Sequence, residues 1–327
     1  MSSRTRRANN HKLIIKRIRS KYGYPICTTK NDIYTIDKYL GDEETEDGYT
    51  INLYSVVDND LLTIKKKIGN GGTLSSIGQM YAHMYSWIKN SSNVIFARIC
   101  SDDNLKPVAF IVVEDEMNNA SNNVPKGGAL CDMNRKYLMG KQIGAKEQME
   151  QSEDSLYIDF NDNNIIIKKI TGGGSPHSHS NNPNDIGKVY IDIYTEIKLS
   201  MKAANINVGP RILYSKICND KNLKPVGYLV MERIHGRYLN ENEVTIEKLA
   251  IRNLIDKLYD AGINHGDLHN RNIMKGNTLS DPTERIWIID YGDAEFNKKV
   301  MSKDKRRYVI SYIPEEQKNP ILKIIYI

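Results

Sequence analysis

The sequence predicts an α+β protein in which a two-lobed half, with a small β-rich lobe and a short helical C-terminal lobe, follows a separate α/β region. Three observations predict it. The hydrophobic pattern switches repeatedly between two-residue alternation and helical spacing along the chain. From Ser155 to Asp290 the order is hairpin, loop, helix, two strands, helix, loop and a short apolar strand. The length of 327 residues accommodates one large or two medium domains. The expected division is an arm over residues 1–30, an α/β region over 31–138 and the two-lobed domain over 139–327.

Taken in order, Ser75 to Lys89 carries helical spacing, and Asn93 to Cys100 and Lys106 to Glu114 alternate as strands. Met117 to Asn123 is Asn-rich and reads as a loop, and Gly128 to Met133 as a short strand. SLYIDF and NIIIKKI flank the turn NDNN and predict a hairpin beginning near Ser155. The segment from Thr171 to Asp185 is Gly, Ser, Asn and Pro-rich and reads as a loop, which leaves its His177 and His179 exposed to solvent. Val189 to Ala204 predicts a helix, and Arg211 to Ile217 and Val226 to Met231 predict strands. Ile246, Leu249, Ala250, Leu254 and Leu258 form one apolar helical stripe that Gly262 terminates.

The composition, 40% hydrophobic and 26% charged, is that of an ordinary globular chain. The longest apolar runs, such as Val108 to Val113, are strand-length, so no membrane partner or spanning helix is expected. No apolar signal core follows the N-terminus. Four cysteines without CxxC spacing argue against a zinc cluster and against a disulfide framework, which reads as an intracellular protein, cytoplasmic or nuclear. The net charge of +6 is unevenly placed: Arg4, Arg6, Arg7, Lys12, Lys16, Arg17, Arg19 and Lys21 put eight basic groups and no acid into the first 21 residues. The remainder is near neutral. Such an arm serves as a nucleic-acid phosphate contact, a nuclear address or a solvated tail.

One internal repeat is visible. Ile99 to Glu114 (ICSDDNLKPVAFIVVE) and Ile217 to Glu232 (ICNDKNLKPVGYLVME) match at an offset of 118 residues, with 10 of 16 positions identical. It reads either as a partial duplication of the small lobe or as two similar hairpins in unrelated settings.

The chemistry-bearing stretch is HGDLHNRNIM, His265 to Met274, with IDYGDAEF around Asp290 following 18 residues after Asn272. Phosphoryl transfer needs hard oxygen ligands for magnesium and one carboxylate held for the nucleophile. Asn272 and Asp290 suit the first task and Asp267 the second. These motifs resemble the catalytic loop and metal-binding strand of the protein-kinase-like superfamily. The resemblance implies ATP and Mg2+ as cofactors, Asp267 and His265 as the catalytic residues of the loop, and Asn272 and Asp290 as metal ligands. Upstream, IIIKKI resembles the strand that presents a phosphate-binding lysine, making Lys168 that residue, with Glu196 in the next helix as its partner. YLVMERIHG resembles the hinge, whose Glu232 to Ile234 backbone would meet an adenine.

The resemblance covers about Lys141 to Phe296. A glycine-rich loop should precede Ser155, yet only Gly140 and Gly144 stand there. Only 35 residues follow Gly292, fewer than a conventional protein kinase needs for its helical lobe. The short lobe and the HGDL form of the loop are similar to atypical kinases of the KEOPS type and to aminoglycoside and choline phosphotransferases. The expected activity is an ATP-dependent phosphotransferase, an atypical serine/threonine protein kinase first. The alternatives are a small-molecule phosphotransferase and an inactive pseudokinase that serves as a binding module.

Overall fold

The computed structural model describes residues 24–25, 34, 36–45, 49–56, 59–69, 74–114, 137–143, 155–172, 177 and 180–296. The basic arm through Lys21, the Asn-rich loop from Met117, the strand expected at Gly128 to Met133, and Gly144 and His179 lie outside them. The chain divides into two compact units: residues 1–163, 167–191 and 216–228 form the first, and 164–166, 192–215 and 229–327 the second.

The first unit is built on a repeated supersecondary plan. Its elements are β1 (Tyr24–Pro25), β2 (Ile36–Glu44), β3 (Thr50–Val56), β4 (Asn59–Ile68), helix α1 (Leu74–Asn90), β5 (Val94–Ser101) and β6 (Pro107–Glu114). They are followed by β7 (Leu138–Ile143), β8 (Ser155–Asp159), β9 (Ile165–Ile170), helix α2 (Pro183–Asn205), β10 (Ile212–Asn219) and β11 (Pro225–Glu232). The last four elements run on into residues of the second unit. One sheet has the order β2-β3-β4-β6-β5; the other has β7-β8-β9-β11-β10, with β1 on its edge beside β7. Three strands, a helix and a closing hairpin are thus used twice with the same neighbours. This resolves the repeat in favour of duplication, and extends it from 16 matching residues to a whole module.

The two closing hairpins are superimposable in their bonding. Asp102 and Asp220 each accept, through Oδ1, the N–H groups two and four residues on, at 2.7 to 2.9 Å. Leu105 and Leu223 both stand at φ 63°, a left-handed conformation uncommon for leucine. The aspartate caps and the burial of both leucines hold it there. One face of the first sheet is packed by Ile36, Val56, Leu62, Ile64, Val108, Phe110 and Val112.

The two copies meet along their helices. Tyr81 of α1 donates to the Leu223 carbonyl at 2.9 Å, and Tyr190 of α2 donates to the Leu105 carbonyl at 2.6 Å. Their rings stack at 4.6 Å. Beside them the backbones touch, since a Cβ on Gly78 would lie 2.7 Å from the Gly187 carbonyl oxygen and one on Gly187 would strike that of Gly78. The strands are tied in the same reciprocal way: Ile99 N–H donates to Asn219 Oδ1 and Ile217 N–H to Ser101 Oγ. Cys100 and Cys218, which occupy the same place in the two copies, are disulfide-bonded. This corrects the expectation of unbridged cysteines. Their separation of 118 residues hid a pairing that the repeat brings about.

Helix α2 begins six residues earlier than its apolar spacing indicates. Pro183 suits a first helical turn because its missing N–H needs no partner there, and Asn182 precedes it, accepting the Asn184 N–H. His177, expected in open solvent, is a third exposed and lies 3.2 Å from Asp185.

The second unit contains β12 (His235–Tyr238), α3 (Glu241–Ile246), α4 (Lys248–Asp260), β13 (Ile263–Asn264), a 3-10 turn (Asn270–Asn272), β14 (Ile273–Asn277), β15 (Arg285–Ile288) and β16 (Glu295–Phe296). Asn240 and Glu243 form a reciprocal capping box at the start of α3. The helical pattern breaks at Glu247, which shifts the phase of α4 relative to α3. Ile246, before the break, and Leu249, on another face of α4 from Leu254, were expected on the buried stripe and are 79% and 71% exposed. Ile251, Leu254, Ile255 and Leu258 form the buried face and pack with Leu199, Val208, Ile273, Ile288 and Tyr291. Antiparallel pairing in the order β12-β14-β15 sets Ile273 opposite Ile288. Among the described residues no helix is long and apolar enough to cross a membrane.

Candidate functional site

The register of β14 and β15 fixes the site. β15 is buried from Ile286 to Ile288 and β14 at Ile273 and Gly276, and just beyond their ends the Ile289 N–H donates to the Asn272 carbonyl at 3.0 Å. The loop His265 to Asn272 and the turn at Asp290 are thereby held side by side on one edge of the second unit. Asp290 itself follows the strand and stands at φ 64°, exposed. A left-handed residue at a strand end turns the carboxylate out of the sheet, a conformation that aspartate tolerates better than most residues.

His265 is buried, with its Nε2 3.0 Å from the Ile289 carbonyl. Burial pushes its pKa below the ordinary imidazole value, against the opposing pull of that carbonyl and of Asp290 and Asp267. The neutral ring with its proton on Nε2 therefore donates to Ile289. Among the described residues its Nδ1 has no hydrogen-bond partner. His265 thus holds the carbonyl of the peptide that immediately precedes Asp290.

Asp267 is held differently. Its side chain is half exposed, with Oδ2 3.3 Å from His269 Nε2 and 3.4 Å from Asn272 Nδ2. The same Asn272 amide nitrogen donates to the Asp267 carbonyl at 2.8 Å. The Arg271 N–H donates to His269 Nδ1 at 3.1 Å, which assigns the His269 proton to Nε2, facing Asp267. Gly266 makes the bend possible. It stands at φ 78°, and a Cβ there would run into the Asp293 carbonyl. The Asn272 nitrogen lies 3.3 Å from His269 Nε2 as well, so it sits among the three groups of this loop.

Glu196 joins this group. It is buried, and a Cβ on Gly292 would lie 3.7 Å from both Glu196 Oε2 and Asp290 Oδ1, so the two carboxylates border the same glycine. Tyr291, in the place where the resembled motif has phenylalanine, is buried and donates to the Ile288 carbonyl at 3.1 Å. Burial raises its pKa far above the ordinary phenol value.

Glu232, Arg233 and Ile234, expected at a hinge, are in the second unit as well. Glu232 is buried, its N–H donates to the Arg211 carbonyl at 3.0 Å and its carboxylate accepts from Ser280 at 2.5 Å. The Arg233 N–H is taken by Asn164 at 2.7 Å. Ile234 is buried between them and β12. Lys168 lies half-buried on β9, next to the fully buried Ile167, and belongs to the first unit. Gly144 lies outside the described residues. The second unit therefore brings together His265, Asp267, Asn272, Asp290 and Glu196. The sequence pattern did not mark His269 as the group that orients Asp267; its spacing of two residues from that aspartate, in a loop, was the available signal.

Among the described residues no three His, Cys, Asp or Glu side chains form a metal cluster. The loop offers instead one carboxylate from Asp290 and one amide oxygen from Asn272. That small oxygen set suits magnesium, which keeps several waters and takes its remaining ligands from phosphates.

No family model matches the sequence, and no curated protein matches it. Among solved structures, the chain is similar to the crystal structure of the BubR1 kinase domain at 15% identity and a TM-score of 0.32, covering 51% of this chain and 49% of that chain. This chain thus spans about half the length of that domain. It is also similar to WaaP in complex with acyl carrier protein, at 12% identity and a TM-score of 0.33, covering 57% of this chain and 78% of that chain. Likeness at this level assigns no activity, and the functional reading rests on the site geometry.

Proposed function

We propose that the chain is an ATP- and magnesium-dependent phosphotransferase with a kinase-like catalytic half, acting on a hydroxyl group, with a protein serine or threonine as the favoured acceptor over a small-molecule alcohol. The observation that carries it is the division of labour between two aspartates on one locked frame. Asp267 is half exposed and oriented by His269 and Asn272; Asp290 is exposed and anchored through the Ile289 peptide.

In this reading Asp267 accepts the proton of the acceptor hydroxyl and holds its oxygen in line. Proton transfer by a positioned side chain contributes roughly 10²–10⁴-fold. Asn272 Oδ1 and the Asp290 carboxylate would hold the magnesium ion. Bound there, magnesium neutralises charge on the phosphate oxygens. Lys168 is assigned to the α- and β-phosphates and Glu196 to its orientation. Of the hinge backbone, the Glu232 and Arg233 N–H groups are already donated within the unit, so Ile234 is the residue assigned to the adenine edge.

The test is transfer of labelled phosphate from ATP to the protein itself and to a panel of protein, aminoglycoside and choline-like acceptors. Asp267→Asn is expected to lower the rate about 10²–10⁴-fold while leaving the unfolding transition in place. Equal rates in wild type and Asp267→Asn would refute the assignment. Nucleotide binding without transfer to any acceptor would make the chain a binding module.

A further inference from the structure

The two faces of the first sheet are covered differently. Ile64, Val108, Phe110 and Val112 point to the side filled by the apolar cluster. Helix α1 lies over the other side, where Lys67 Nζ stands 3.2 Å from His83 Nε2 and 5.6 Å from the centre of the Trp87 ring. Residues directly opposite in antiparallel strands share a face. Glu43 is opposite Ile51, Ile51 opposite Lys67, and Lys65 opposite Ile111, so Glu43, Ile51, Lys65 and Ile111 project on the helix side. Val113, two residues beyond Ile111, joins them. The helix stops at Asn90. Past its end these side chains, with Trp87 as a wall and Ser91 to Asn93 as a rim, line a cavity of about 340 Å³. Small-molecule sites occupy about 300–1,000 Å³ and combine an apolar lining with a few placed polar groups. Every residue of this cavity belongs to the first unit.

We propose that the cavity is a binding site for a small anion carried on a planar ring. The ring is accommodated by the buried floor of Ile51, Ile111 and Val113 and by the half-buried Trp87, against which it can lie offset-stacked. The anion is taken by Lys65. That ammonium contacts Glu43 Oε1 and Oε2 at 3.0 and 3.1 Å, and with three donors it keeps one for a ligand. The lysine is the less exposed member of the pair, 26% against 44% for the glutamate, so the positive charge lies inward and the carboxylate at the rim. A pair this exposed contributes little, and an anion that also gains the ring contact competes with Glu43 for the ammonium. The end of a helix ordinarily disfavours an anion because its last carbonyls are open. Here the Trp87 carbonyl accepts both the N–H of Ser91 at 3.0 Å and its Oγ at 2.7 Å. The same two bonds hold Trp87 at the cavity wall.

The site uses no residue of the second unit, so it stands or falls independently of the phosphotransferase reading. Trp87 is its own reporter, since the only other tryptophan, Trp287, is 3% exposed. The full chain is titrated with phenyl phosphate and with benzoate, and with inorganic phosphate and phenol as the anion and the ring alone; tryptophan emission and calorimetry are read together. Saturable binding of at least one ring-bearing anion at millimolar concentration or below is expected, tighter than either part alone. Lys65→Met should weaken it about tenfold to a hundredfold, the worth of a hydrogen bond to a charged group. Trp87→Leu should weaken it about twofold to tenfold in the calorimeter. Glu43→Gln should act in the opposite sense and tighten binding about twofold to fivefold by releasing Lys65, a gain that damage to the fold would not produce. No saturable emission change with either probe, inorganic phosphate binding as tightly as phenyl phosphate, undiminished binding in Lys65→Met, or weaker binding in Glu43→Gln would each overturn the proposal.

Discussion

At the scale of the residue, His265 ties the loop at Gly266 to the strand end before Asp290. Its ring is buried and donates to the carbonyl before Asp290, and burial holds its pKa below the ordinary value. That depression gives the pH dependence of folding a definite sign. The unfolded chain takes up a proton on this histidine below about pH 6.5, whereas the folded chain resists it, so stability should fall as pH is lowered through that value. The slope from this group approaches about 1.4 kcal/mol per pH unit below the unfolded pKa. Urea unfolding at about pH 7.5 and about pH 5.5 measures it, and His265→Gln, which keeps an N–H donor but does not titrate, should flatten the dependence. An unchanged slope would place the titration on another group. That His265, Asp267 and Asn272 come together was legible because they lie within eight residues of one another. Their roles were not. Which carbonyl His265 holds, and which backbone N–H groups at Glu232 and Arg233 are already donated, depend on partners far away in sequence: Ile289, Arg211 and Asn164.

At the scale of elements, the two hairpins allow a matched experiment. Asp102 and Asp220 hold equivalent turns through equivalent bonds. Asp102→Ala and Asp220→Ala should therefore each cost about 1–2 kcal/mol, as loss of a comparable side-chain cap does. Equal losses in denaturant titrations support two copies of one structural unit; a loss at Asp220 with none at Asp102 would speak against equivalence. These hairpins and α1 were legible because strong alternation and helical spacing coincide with clear turns. The sheet of β2, β3 and β4 was not. Strand β2, with sequence IDKYLGDEE, is largely charged and carries register shifts between Ile36 and Gly41, which erase the two-residue period. The stripe on α4 was misplaced for another local reason. The break at Glu247 takes Ile246 out of phase with α4, and Leu249, five residues before Leu254 in the same helix, falls about 140° away from it. Replacing Ile246 by lysine should change stability by no more than about 0.5 kcal/mol, whereas Ile251→Ala should cost about 2–5 kcal/mol.

For the molecule as a whole, duplication explains most of what the N-terminal half contains. The sheet order, the left-handed leucines, the paired tyrosines and the disulfide all follow from one module used twice. Cys100 and Cys218 close a long loop, and constraining the unfolded chain in this way contributes about 2–4 kcal/mol. Reduction should lower the unfolding free energy by that amount and move the denaturation midpoint down accordingly, and Cys218→Ala should abolish the difference between oxidised and reduced protein. A midpoint insensitive to reductant would indicate that the bond adds nothing to the folded state.

The catalytic reading is tested most directly by heating the protein with and without ATP and magnesium. A ligand at about 100 times its dissociation constant stabilises the fold that binds it by about 2.7 kcal/mol. The assigned roles predict that wild type and Asp267→Asn are both stabilised, because Asp267 serves the acceptor, and that Asp290→Ala loses the stabilisation, because Asp290 holds the metal. Absence of any shift at millimolar nucleotide, or an equal shift in Asp290→Ala, would contradict the account.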